Sequence, residues 1–215
     1  MVKAVLFDWD GTLWDVLGFM METYTEVFDH FGLRPWTREE YQEKFRHDWR
    51  DMLDEMGLTP NADYLISHWE QKIATERPSA YPWVGGLVER LSKAGLELAV
   101  ISSAPRKPLM RELDRNGILG SMKVVVSGDD FEERKPSPIP LLYACSVLDA
   151  KPTECVYVGD MVEDIEACRK AGMTVAAVAW GLHSRARLQA ENPDFLADTD
   201  IQLRDYLLRK ASAKK

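Results

Sequence analysis

The chain has no long apolar run. In 215 residues nothing approaches the ~20 consecutive apolar residues that span a bilayer, which excludes a transmembrane helix. Cysteine is scarce and odd in number. Cys145, Cys155 and Cys168 lack metal-ligand spacing and read as reduced packing residues of a cytosolic protein. Cations are the minority, 27 Lys and Arg against 35 Asp and Glu, for a formal net charge of −8. Nucleic acid is therefore not an expected partner, and any anionic substrate needs locally focused positive charge. There is no repeat, no low-complexity segment and no long linker. A strand pattern starts at once, with no signal peptide ahead of it, so a cytoplasmic location is the expectation. What remains is ordinary for a globular protein, 46% hydrophobic and 29% charged, with chain enough for a substantial core and one or two domains.

The organising stretch is Val5-Leu6-Phe7-Asp8-Trp9-Asp10-Gly11-Thr12-Leu13. Its apolar start, Ala4 to Phe7, reads as a strand buried on both faces, as in a parallel sheet covered by helices. Asp8 then stands just past the strand's carboxyl end, where open α/β sheets place their ligands. Two carboxylates one residue apart repel unless a cation holds them, which suggests a hard metal ion with oxygen ligands. The competing reading is a plain Asp10-Gly11 turn.

Three more apolar runs end in chemistry-bearing residues. Ala99-Val100-Ile101 runs into Ser102-Ser103, Val124-Val125-Val126 precedes Arg134-Lys135-Pro136-Ser137-Pro138, and Val156-Tyr157-Val158 runs into Gly159-Asp160 with Asp164 four residues on. Taken singly, each has a structural reading. Ser102 and Ser103 can cap a helix, Lys135 can be a solvated loop lysine, and Asp160 can be the N-cap of the helix that follows it.

As an ordered set the four motifs resemble the haloacid dehalogenase superfamily of phosphohydrolases, over essentially the whole chain. The resemblance implies a doubly wound, Rossmann-like parallel α/β core with an all-helical cap. It makes Asp8 the nucleophile that forms an aspartyl-phosphate, and Asp10 the general acid and then base. Ser102, Ser103, Gly11 and Thr12 become phosphate contacts, and Lys135 the cation between phosphate and Asp8. Asp8, the main-chain carbonyl of Asp10, and Asp160 become the Mg²⁺ ligands. Asp164, with Glu163 as a neighbouring alternative, orients the site from behind. The closest branch in shape is that of phosphoglycolate phosphatase and β-phosphoglucomutase. The expected activity is thus a Mg²⁺-dependent phosphatase acting on a small phosphorylated metabolite, as monomer or homodimer. Its competitors are a phosphomutase, a haloacid dehalogenase and a non-catalytic binding module; pyrophosphate and phosphonoacetaldehyde are outlying substrates. Two features depart from the family pattern. Trp9 is large for its place between the aspartates and reads as packing. No glycine lies between Gly32 and Gly57, where many relatives carry a specificity loop.

In chain order, Val16, Met20, Tyr24, Val27, Phe28 and Phe31 share one helical face that Gly32 can end. Thr37-Arg38-Glu39-Glu40 has capping-box spacing and opens a helix expected to run to Gly57. A third helix carries Leu65, Ile66, Trp69 and Ile73 up to Pro78. Residues 15–80 are therefore expected to form the helical cap, and 1–14 with 81–215 the α/β core. Strands are expected at 96–101, 122–126, 155–158 and 174–179, with helices between them and further helices at 182–191 and 203–210. The cap holds 14 Asp and Glu against 7 Lys and Arg, and its cationic cluster is Lys44-Phe45-Arg46-His47-Asp48-Trp49-Arg50. Arg46 and Arg50 share a face if the helix is intact, so Arg46 and His47 are the candidates for reading an anionic end of the substrate.

Overall fold

The computed structural model describes residues 2–46, 49–76 and 79–212. In chain order the elements are β1 (Ala4–Phe7), α1 (Val16–His30), α2 (Arg38–Lys44), α3 (Leu53–Met56), α4 (Ala62–Thr75), α5 (Val84–Lys93), β2 (Glu97–Ile101) and α6 (Arg106–Arg115). They continue with β3 (Val124–Val126), α7 (Ile139–Val147), β4 (Cys155–Gly159), α8 (Val162–Ala171), β5 (Thr174–Val178), α9 (Arg185–Ala190), β6 (Phe195–Ala197) and α10 (Asp200–Ser212).

The six strands form one parallel sheet in the order β3-β2-β1-β4-β5-β6. Apolar residues alternate between its faces. Val5, Phe7, Leu98, Val100, Val156 and Val158 pack under α5, α6 and α10. Leu6, Ala99, Ile101, Tyr157 and Ala177 pack under α7 and α8. This double burial is why the strands read as near-continuous apolar runs. The three cysteines are free and buried, with Cys145 and Cys155 on the second face. The chain goes from β1 out to β2 and β3, then returns to β4 on the other side of β1. The switch of direction between β1 and β4 opens a crevice at their carboxyl ends.

Among the described residues, the segment between β1 and α5 is helical, with its own core. Leu17, Met20, Tyr24, Phe28, Tyr41 and Leu65 pack together, and Met161 and Leu182 reach into that cluster from the sheet side. The helix expected from Thr37 to Gly57 is corrected. Its start forms as the spacing dictates, with Glu40 N–H donating to the Thr37 hydroxyl (3.3 Å) and Thr37 N–H to the Glu40 carboxylate (2.8 Å). It stops at Lys44, because Phe45 leaves the helix at ψ 134° and Arg187 takes the carbonyls of its last turn. A 3-10 turn at Trp49–Met52 and α3 follow, and Gly57 at φ +71° ends α3. The helix expected at 182–191 likewise shrinks to Arg185–Ala190, because the amides of Leu182 and His183 bond to Asp160 instead. The strand expected at 122–126 starts at Val124, behind a 3-10 turn. β6 has three residues, too few for a periodic signal.

Candidate active site

The site grows from the paired ends of β1 and β4. Phe7 is in register with Val158, and Asp8 N–H extends the ladder by donating to the Val158 carbonyl at 2.8 Å. Asp8 and Asp160 therefore leave neighbouring strands at the same edge. Beyond Asp8 the chain turns tightly, with Leu13 N–H and Trp14 N–H both donating to the Trp9 carbonyl (3.0 and 2.9 Å). Trp9 is buried in the core and stacked on Trp14, a packing residue as its bulk implies. At Gly11 the backbone takes φ +81°, and a Cβ there would lie 2.2 Å from a carboxylate oxygen of Asp160.

Asp160 is fully buried and held on three sides. The Thr12 hydroxyl donates to Oδ1 at 2.6 Å, Leu182 N–H donates to Oδ2 at 2.7 Å, and Gly181 leaves room where a Cβ would meet Oδ2 at 2.2 Å. Burial, reinforced by the charge of Asp164, pushes its carboxyl up to about 7. Asp164, also buried, accepts on Oδ2 from the amides of Asp160 (3.2 Å) and Met161 (3.0 Å). Its Oδ1 accepts from Lys135 Nζ (2.7 Å) and the Tyr157 hydroxyl (3.1 Å). Lys135 is also 2.8 Å from Asp8. Burial acts to lower the Lys135 ammonium, but Asp164 and Asp8 outweigh it and hold the lysine well above its ordinary value. The Asp8 carboxyl is pushed up by burial, opposed by Lys135 and reinforced by Asp164, Asp160 and Asp10.

Asp10 is half-buried and accepts from the Ser102 hydroxyl at 3.2 Å, while that hydroxyl accepts from Ala104 N–H at 3.0 Å. Burial raises the Asp10 carboxyl, against the lowering effects of Ser102 and Lys135. Over this floor lies a cavity of about 380 Å³. Asp8, Asp10, Ser103, Lys135 and Asp164 lie at its base; Met20, Leu65 and Trp69 are among the side chains lining it from α1 and α4.

The structure thus brings Asp8, Asp10, Ser102, Ser103, Lys135, Asp160 and Asp164 to one edge of the sheet. Two expected phosphate contacts have partners within the floor. Gly11 N–H donates to the Trp14 carbonyl at 2.9 Å, and the Thr12 hydroxyl is committed to Asp160. Arg46 is corrected too. With α2 ended at Lys44 it shares no helix face with Arg50. Its guanidinium donates to the carbonyls of Lys44 (2.8 Å) and Phe45 (3.2 Å), and Arg46 is not among the residues that wall the cavity. His47 lies outside the described residues. Sequence reasoning missed Tyr157 and His183. Tyr157 carried a signal, since a tyrosine in an aliphatic strand buried on both faces must find a hydrogen-bond partner for its hydroxyl.

One carboxylate oxygen from each of Asp8, Asp160 and Asp164 lies within 4.8 Å of the other two, and Lys135 pairs with Asp8 and Asp164. Three buried acids against one lysine leave an uncompensated negative charge, and a divalent cation fits that deficit.

A twisted parallel sheet with acids gathered at its switch point defines a Rossmann-like α/β protein with a carboxylate-rich ligand site. A family model for haloacid dehalogenase-like hydrolases matches residues 5–178, and the chain belongs to that family; it is an enzyme of the hydrolase class. Pyrophosphatase PpaX of Bacillus mycoides is 29% identical over 210 residues, 97% of this chain and 98% of its own. Pyrophosphatase PpaX of Bacillus thuringiensis is 32% identical over 203 residues, 92% of each chain. The fold matches a solved structure from Haemophilus somnus described as a "predicted phosphoglycolate phosphatase", at TM-score 0.77 and 21% identity over 95% of this chain and 97% of that one. It also matches a haloacid dehalogenase-like family hydrolase from Streptococcus pneumoniae at TM-score 0.74 and 17% identity, over 95% and 98% of the two chains.

Proposed function

We propose that the chain is a Mg²⁺-dependent phosphatase that hydrolyses a small phosphate monoester through an aspartyl-phosphate on Asp8, with residues 15–80 as a cap over the site. The carrying observation is Lys135, held 2.8 Å from Asp8 and 2.7 Å from Asp164 at the base of a cavity. A cation fixed against a buried carboxylate at a sheet switch point suits a nucleophile that must approach an anionic phosphate.

In this reading an Asp8 oxygen attacks phosphorus as the ester P–O bond breaks. The departing alkoxide takes the proton of Asp10, whose carboxyl burial raises above its ordinary value. Asp10, now a carboxylate, takes a proton from water; the water oxygen attacks phosphorus, the Asp8–phosphorus bond breaks, and phosphate leaves. Lys135 neutralises charge on Asp8 and the transferring group. Asp8, Asp160 and the Asp10 carbonyl would hold Mg²⁺, which supplies charge neutralisation for the phosphoryl oxygens. Asp164 has both oxygens engaged by Lys135, Tyr157 and two amides, so its part is to position Lys135 and the turn that carries Asp160.

Asp8→Asn tests this, because it changes charge with hardly any change of volume. Phosphate release from an aryl phosphate with Mg²⁺ should fall at least ~10³-fold, with an unchanged melting temperature and no acid-stable label at residue 8. Turnover of the purified variant near the wild-type rate overturns the assignment.

A further inference from the structure

The walls of the cavity above Asp8 say more about the leaving group than its floor does. Met20, Phe45, Leu65, Trp69, Met161 and Leu182 line it, so most of the surface facing an ester's alcohol part is apolar. Trp69 is held in place edge-on to Phe19 (5.0 Å) and Tyr24 (6.2 Å). At about 380 Å³ the space suits a ring-sized group, far more than a two-carbon acid. The polar groups above the floor are the Tyr24 hydroxyl, the Trp69 indole N–H and two carboxylates, and the charged ones among them are all acidic. Glu163, in the first turn of α8, lines the cavity with its Oε2 buried and without a partner among the described residues. Glu70, exposed on α4, adds a second negative charge to the lining. Lys135, the cation lining the cavity among the described residues, is already engaged at the base by Asp8 and Asp164.

We infer that the preferred substrate is a phosphate monoester whose alcohol is an apolar, ring-sized group carrying an amine or hydroxyl donor for Glu163, and not a compound with a second anionic group. The inference rests on the phosphatase reading. A carboxylate or second phosphate entering this cavity would lose its water against apolar walls and face two like charges. An apolar group gains from the same walls, and a donor meets the Glu163 carboxylate that lines them. Pyrophosphate, named for the Bacillus relatives, and phosphoglycolate are then the poorly matched substrates.

The test compares kcat/KM of the wild type with Mg²⁺ on ethyl phosphate, 2-phenylethyl phosphate, phenylalaninol phosphate, phosphoglycolate and pyrophosphate. The phenylethyl ester should exceed ethyl phosphate by about 10²-fold, in line with the ~10–200-fold that even a single methylene can contribute in an apolar pocket. Phenylalaninol phosphate should rank first, and the two compounds with a second anionic group below phenylethyl phosphate. Glu163→Gln should draw the ratio of phenylalaninol to phenylethyl phosphate toward unity. By calorimetry, 2-phenylethylphosphonate should bind the wild type at least ~10-fold more tightly than phosphonoacetate. Pyrophosphate or phosphoglycolate at the head of the ranking overturns the inference, as does phosphonoacetate binding more tightly. Acetyl phosphate separates the two levels. If it labels Asp8 while the esters show no apolar preference, the substrate inference alone falls. If it leaves Asp8 unlabelled and no ester is turned over, the phosphatase reading falls and takes the inference with it.

Discussion

At position 12 a hydroxyl does what no apolar side chain of the same shape could. Thr12 is fully buried, and its 2.6 Å bond is one of two that fix the Asp160 carboxylate, the other coming from Leu182 N–H. Thr12→Val keeps the volume and removes the donor, leaving Asp160 free to rotate and harder to ionise. Apparent Mg²⁺ affinity, read from activity and from the metal-induced rise in melting temperature, should weaken roughly 10–100-fold, the usual effect of losing a partner behind a metal ligand. Thr12→Ser should restore most of it; equal affinity in the Thr12→Val variant and the wild type would show that Leu182 alone suffices. The acids at this site were legible because each stands where an apolar run stops, and a sheet gathers such stops at one edge. The Tyr157 ring reads as core inside its strand, so its hydroxyl alone signals the site, and the partner of Thr12 lies 148 residues away in sequence.

The element that joins the floor to the helical segment between β1 and α5 is the loop of residues 179–184 between β5 and α9. Toward the floor it gives Leu182 N–H to Asp160 and the Trp180 indole N–H to the Thr12 carbonyl (3.1 Å). Toward α2 it accepts from Arg38 at the Trp180 carbonyl (2.6 Å) and from Gln42 at the Gly181 carbonyl (2.8 Å). Arg187, just beyond it on α9, closes the end of α2 by donating to the carbonyls of Gln42 (3.0 Å), Glu43 (3.2 Å) and Phe45 (3.1 Å). A cation at a helix C-terminus also complements the helix dipole. Arg187→Met keeps the apolar stem and removes the donors. A net loss of about 2 kcal/mol for charged hydrogen bonds should lower the melting temperature by about 4–8 °C and speed amide exchange at residues 43–46. An unshifted melt with unchanged exchange would mean α2 is held by its apolar face alone. This junction explains why the helix expected to reach Gly57 ends early. A capping box declares a start, but the stop was set by a guanidinium more than 140 residues on, which no local pattern encodes.

Across the whole molecule, acid stability is a contest between opposing proton linkages, and His183 works against the buried acids near neutrality. The chain carries a net charge of −8 and an isoelectric point near 5.1, so acidification toward pH 5 reduces general repulsion. Asp160, pushed up to about 7, binds a proton more readily folded than unfolded, so without metal its contribution favours the folded state as pH falls through 7 toward 4. His183 acts the other way. It is buried, its Nδ1 accepts from Val162 N–H at 3.0 Å, and its ring faces Phe45. Burial, then the charges of Arg187 and Arg46, lower it to about 3, against an unfolded value near 6.5. Between those values the unfolded chain binds a proton that the folded chain refuses, so this stability is fully present above pH 6.5 and is lost as pH falls below it. His183→Asn retains an acceptor for Val162 N–H and removes the titration, while the other linkages are common to both proteins and cancel in their difference. Urea unfolding at pH 7.5, 6.5 and 5.0 should show wild type and variant running parallel above 6.5. Below it the wild type should lose up to about 2 kcal/mol more by pH 5, from 1.36 kcal/mol per pH unit over roughly 1.5 units. Parallel curves down to pH 5 would mean that His183 accepts its proton inside the folded protein, and the neutral imidazole between Val162 and Phe45 would have to be abandoned.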